Sequence, residues 1–103
     1  MTQEEFNIEV EKSFLRSKSL LNKKGIEYSQ DGDRLGQFHR AGASQGIPST
    51  QALWGMATKH VTSIADMVKS PQDFTRKQFN SKVTDLRNYT FLLDALLKDI
   101  GIE

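Results

Sequence analysis

Apolar residues recur along this chain at three- and four-residue spacings, the period of one face of an α-helix, with no strand signal between the runs. Phe6, Val10, Phe14 and Leu21 form the first stripe, and Glu9, Glu11, Lys12, Arg16 and Lys18 fill the opposite face. Thr2-x-x-Glu5 has the capping-box pattern that opens a helix, and Lys23-Lys24-Gly25 places cations and then a glycine where one should close. The spacing predicts a helix from Gln3 to Lys24. Gly25 to Asp33 is rich in Gly, Ser and Asp and reads as a loop. A short helix from Arg34 to Ser44, capped by Asp33, would turn Leu35, Phe38 and Ala41 inward, although nearby Gly36, Gly42 and Gly46 weaken it.

Pro48-Ser49 opens a third helix carrying Leu53, Trp54, Ala57, Val61, Ile64 and Val68, and Ser70-Pro71 ends it. No charge occurs between Arg40 and Lys59, which places this helix at the centre of the fold. Thr75-x-x-Gln78 is a second capping box, followed by Phe79, Val83, Leu86, Phe91, Leu93, Leu96 and Leu97, with Gly101 where a terminating glycine is expected. At 1.5 Å per residue this last helix is about 36 Å long. The expected fold is all-α: a compact antiparallel bundle of three long helices plus one short helix, in a single domain spanning residues 1–103.

Composition narrows the function classes. Apolar residues make up 37% and charged residues 26%, proportions of a globular chain rather than a disordered one. The absence of cysteine removes disulfides, thiol catalysis and cysteine-ligated metals. The acidic, polar N-terminus reads as no signal peptide, and no apolar run approaches a membrane span, so a cytoplasmic location is expected and no membrane partner. A net charge of +1 with signs mixed along the chain disfavours double-stranded DNA as a partner.

Two polar clusters interrupt the later helices. Lys59, His60, Ser63 and Asp66 lie on the third, and Lys82, Asp85, Asn88 and Tyr89 on the fourth, at three-and-four spacing. On antiparallel neighbours the two strips would face each other, as the polar sites of helix bundles do. A third cluster, Tyr28, Asp31, Asp33, Arg34, Phe38, His39 and Arg40, combines rings that stack on a base with cations that pair with phosphate. Each has an ordinary structural explanation as well. Lys82 and Asp85 would be solvated charges, Asn88 a satisfied buried amide, Asp33 a helix cap and Phe38 core. There is no His-Glu-x-x-His, no calcium loop around Asp31-Gly32-Asp33 and no phosphate-binding glycine motif, and no metal ligand is assigned.

Lys24-x-x-x-Tyr28, Gly32-Asp33, Phe38, Leu53-Trp54-x-Met56, Lys59-His60 and Lys82-x-x-Asp85-Leu86-x-Asn88-Tyr89 together resemble small phage and prophage proteins grouped as nucleotide-modification-associated domain one. The likeness covers residues 20–97, and Asp85-Leu86-Arg87-Asn88-Tyr89 is its most specific part. It implies a phage-type accessory protein, acting in the host cytoplasm and linked to nucleotide metabolism or DNA modification. Lys59, Asp85 and Asn88, with Tyr28, Asp33 and Phe38, are the residues it carries over.

The chain also resembles, more distantly, the MazG-type all-α nucleotide pyrophosphohydrolases, whose paired acids hold magnesium. Here Asp85-x-x-Asn88 echoes one pair with an amide in place of an acid, and Glu5-x-x-x-Glu9 has the wrong spacing for the other. The leading expectation is a binder of a nucleotide or nucleotide-derived ligand, with Lys59, His60, Asp66, Asp85, Asn88, Tyr89, Tyr28 and Arg34 as its candidate contacts and no cofactor. The alternatives are a helical module that binds a host protein and a magnesium-dependent pyrophosphohydrolase. Exposed apolar positions such as Ile8, Phe91 and Ile100 point to a homo-oligomer.

Overall fold

The computed structural model describes residues 1–29 and 32–103. These form four α-helices: α1 (Gln3–Tyr28), α2 (Gly36–Gln45), α3 (Ser49–Met67) and α4 (Arg76–Asp99), with one 3₁₀ turn at Pro71–Asp73. The all-α expectation holds, and no strand occurs among the described residues. None of the helices is long and apolar enough to cross a membrane.

The local signals act as their chemistry dictates, with two corrections. Thr2 Oγ1 accepts the Glu5 amide at 3.1 Å, which satisfies one of the free donors at the start of α1. That helix then runs past Gly25 to Tyr28 instead of ending at Lys24. Gly25 keeps helical geometry, and the added turn is held by the Lys24–Glu27 ion pair at 3.6 Å and by Lys24 Nζ lying 5.4 Å from the Tyr28 ring centre. The second correction concerns α2, which begins two residues later than its spacing implied. Asp33 does bind a free amide, but it is the Leu35 amide, at 3.1 Å, ahead of the helix rather than at its cap.

Both capping-box bonds of α4 are present: Gln78 N–H donates to Thr75 Oγ1 at 3.1 Å, and Thr75 N–H to Gln78 Oε1 at 2.8 Å. At its other end Gly101, at φ 88°, lets Ile102 N–H reach back to the Leu97 carbonyl at 2.9 Å. Gly46 closes α2 in the same way, with Ile47 N–H on the Gly42 carbonyl at 3.0 Å.

Helix α3 packs on both α2 and α4, and α1 packs on α4. The core is small. Phe38, Leu53 and Leu96 are essentially sealed from solvent, and Leu35, Met56, Tyr89, Leu92 and Leu93 pack around them. The expected α3 stripe is narrower in space than in sequence: Leu53 and Ala57 are buried, whereas Trp54, Val61 and Val68 are exposed. Neighbours on two sides cover only part of the helix circumference. The α1–α4 joint is polar, with Arg87 Nη1 donating to Ser17 Oγ at 2.9 Å and to the Ser13 carbonyl at 3.2 Å, and with Ser17 and Thr84 buried.

Gly42 is where α2 turns into α3. A Cβ there would sit 2.8 Å from the Ile47 carbonyl oxygen and 3.1 Å from the Ser49 backbone, none of which can rotate away. Gly42→Ala is therefore expected to cost about 1–3 kcal/mol and to lower Tm by several degrees. Gly55, inside α3 with open space around its Cα, should behave oppositely. Gly55→Ala is expected to add about 0.5–1 kcal/mol, and thermal melts of the two variants check the contrast.

Candidate functional site

A cleft of about 260 Å³ opens where the C-terminal end of α1, the start of α2 and the middles of α3 and α4 meet. Helical spacing explains its walls. Leu20, Leu21, Lys24 and Tyr28 share one face of α1, and Asp85, Asn88, Tyr89 and Leu92 share one face of α4. Arg34, Gln37 and Phe38 enter from the α2 side, and His60 from α3.

Six of the eight candidate contacts read from the sequence line this cleft: Tyr28, Arg34, His60, Asp85, Asn88 and Tyr89. Lys59 and Asp66 do not. Lys59 is exposed one residue before His60, about 100° around the helix, and Asp66 is a surface carboxylate 3.8 Å from Lys69. The strip 59-63-66 thus runs beside the interface, and only His60 reaches α4. His39 bonds Asp99 at 2.9 Å, tying α2 to the end of α4, and Arg40 is exposed. Asp31 lies outside the described residues. Lys24 and Gln37 are cleft residues that were not among the candidate contacts. Lys24 was legible as a partner of Tyr28 at four-residue spacing, but only with the helix continued through Gly25.

The polar atoms in this cleft are incompletely paired. His60 Nδ1 is 3.7 Å from Asp85 Oδ2, beyond hydrogen-bond length, so the contact is electrostatic and the nitrogen is unsatisfied. Arg34 Nη1 and Asn88 Oδ1 are also buried without a hydrogen-bond partner among the described residues. A buried polar atom left in this state costs about 1–3 kcal/mol, and here three such atoms line one small space. The rings of His60 and Tyr89 are 5.4 Å apart and tilted by 34°. Burial raises the Tyr89 phenol above its ordinary range; Asp85 and Tyr28 add to the rise, and Lys24 opposes it.

Chemically, the cleft offers two cationic groups, Lys24 and Arg34, an imidazole, two carboxamides, and the aromatic faces of Tyr28 and Tyr89. Among the described residues, Asp85 is the one carboxylate on its walls, and no group of three His, Cys, Asp or Glu side chains is placed to hold a metal. Magnesium bound through paired protein carboxylates does not fit that donor set. The fold and the cleft together define an all-α protein with a cleft between its helices that carries cationic and aromatic side chains. The chain matches no known protein-family model, and no curated protein and no solved structure is significantly similar to it.

Raising the Tyr89 pKa sets a sign for pH dependence. The unfolded phenol ionises first as pH climbs above about 10, so the stabilising preference for neutral Tyr89 is intact below that value and is lost as pH rises through the folded-state pKa. In a spectrophotometric titration, part of the phenolate absorbance should appear above the ordinary tyrosine range. Tyr89→Phe should remove that part and flatten the alkaline fall in Tm.

Proposed function

We propose that the protein binds a nucleotide or nucleotide-derived ligand in this cleft, as a phage-type accessory protein, without turning it over. The observation that carries the reading is the convergence of Arg34 Nη1, His60 Nδ1 and Asn88 Oδ1, buried and without a hydrogen-bond partner among the described residues, from three separate segments on one cavity. A ligand with a phosphate and a heteroaromatic base supplies what those atoms lack. Phosphate oxygens accept from Arg34 and are attracted by Lys24, the edge of a base offers donors to Asn88 Oδ1, and the ring stacks beside Tyr28 or Tyr89. A cleft of about 260 Å³, open to solvent on one side, has the size to take part of a mononucleotide.

The pyrophosphohydrolase alternative asks for paired acids, and Asp85, the one carboxylate among the described lining residues, gives it little support. Binding and hydrolysis separate in one experiment. Nucleoside mono- and triphosphates are titrated calorimetrically with and without magnesium, and free pyrophosphate is assayed in parallel. The expected result is saturable binding of a mononucleotide that does not need magnesium, with no pyrophosphate released. A broad nucleotide panel that produces neither heat nor a shift in Tm would sink the reading.

Two variants separate a ligand site from a structural cluster. Arg34→Gln should weaken binding about tenfold or more, since hydrogen bonds to charged groups contribute about 1.5–3 kcal/mol. Asn88→Leu replaces an unsatisfied amide by an apolar group of similar size. It should raise Tm of the free protein while abolishing binding. A purely structural Asn88 would give a lower Tm instead.

A further inference from the structure

One face of α1 changes role along its length. Phe6, Val10 and Phe14 lie on the same helical face as Ser17 and Lys24, the face that docks on α4. Where α4 covers it, Ser17 is 1% exposed; towards the N-terminus, Phe14, whose ring lies 6.4 Å from that of Phe91 on α4, and Phe6 are each 51% exposed. The uncovered stretch lines an open groove together with Arg76 and Arg87. Arg16 joins the same two arginines in an adjoining cavity, and its Nε is buried without a partner. Among the described residues no carboxylate lies within ion-pair distance of these three guanidinium groups. The groove is therefore apolar along its floor, with Arg76 and Arg87 on its edge and Glu9, paired with Lys12 at 3.5 Å, as the one carboxylate among its described lining residues.

The chain itself carries the complement. Residues 3–14 of α1 hold four glutamates (Glu4, Glu5, Glu9 and Glu11) against Lys12, a net charge of −3. Residues 15–28 hold Arg16, Lys18, Lys23 and Lys24 against Glu27, a net charge of +3. In an antiparallel pair centred on Val10, Phe6 of one copy lies opposite Phe14 of the other and Glu4 and Glu5 lie level with Arg16, an arrangement that a twofold axis repeats at both ends. The overall shape agrees, because a radius of gyration of 15.6 Å exceeds the value of about 13 Å for a folded chain of this length.

We infer that the protein is a twofold dimer in which the N-terminal half of α1 from each copy lies antiparallel in the groove of the other. Phe6, Val10 and Phe14 of the two copies cover one another, and Glu4 and Glu5 of each copy reach Arg16 and Arg76 of its partner. The inference is independent of the ligand reading, since the groove and the cleft share no residue.

Light scattering on a sizing column and sedimentation velocity of the full chain test it. The expected mass is twice the 11.7 kDa of the chain. Phe6→Asp with Phe14→Asp should give the monomer with an unchanged circular dichroism spectrum. Charge reversal provides a test that does not disturb the apolar residues. Glu4→Lys with Glu5→Lys in one chain, and Arg16→Glu with Arg76→Glu in another, should each weaken self-association about tenfold or more. Mixing the two chains should restore a dimer, because both sets of contacts are again of opposite sign in the mixed pair. A wild-type chain that stays monomeric to high micromolar concentration overturns the inference, including one whose groove takes an acidic peptide or another protein. A dimer insensitive to both sets of substitutions, or reversed chains that fail to pair on mixing, overturns it as well.

Discussion

The packing of Phe38 and Leu53 against Leu96 is the contact on which the remaining geometry depends. Leu53 and Leu96 lie on antiparallel neighbours joined by a short turn, so burying them together fixes the register of α3 against α4. That register brings His60 opposite Asp85 and Tyr89, two to three turns away along the same pair of helices. Phe38 belongs to both regions, being sealed in the core on one side and forming part of the cleft wall on the other. The cleft is thus an edge of the core rather than an addition to the surface. Its polar groups are held by elements whose positions are set by apolar packing, so they need not bond one another to stay in place.

Much of the architecture was written locally. Capping boxes, a terminating glycine and apolar periodicity each act over a few residues, so the limits of α4 could be read from Thr75, Gln78 and Gly101 alone, whereas Gly46, read as weakening α2, is the left-handed residue that closes it. Gly25 misled for the opposite reason. A glycine permits a helix to end without forcing it to, and the outcome turned on the Lys24, Glu27 and Tyr28 side chains. The candidate site was legible where spacing and facing agree, as at Asp85, Asn88 and Tyr89. It was not legible at Lys59 and Asp66, because sequence spacing says which residues share a strip but not how the helix is rotated about its axis. That rotation is settled by Leu53 and Ala57 turning inward.

The joint between α1 and α4 follows a different rule from the core. Serine and threonine let the two backbones approach closely, and Arg87 supplies directional bonds where apolar mass is missing. Such a joint holds α1 at its middle, around Ser13 and Ser17, and leaves both ends to find other partners. The C-terminal end has Lys24 and Tyr28 in the cleft, while the N-terminal end has Phe6 and Phe14 half in water.

A helix pinned at its centre transmits position along its length, because an α-helix of 26 residues is stiff over about 39 Å. Phe6, Val10 and Phe14 stand on one side of the Arg87–Ser17 bond, and Lys24 and Tyr28 stand on the other, lining the cleft with Asn88 and Tyr89. Association at one end and cleft geometry at the other are then two demands on one rigid element. The sequence along its docking face, apolar at first, small and hydroxylated in the middle, and cationic and aromatic at the end, answers each demand where it arises.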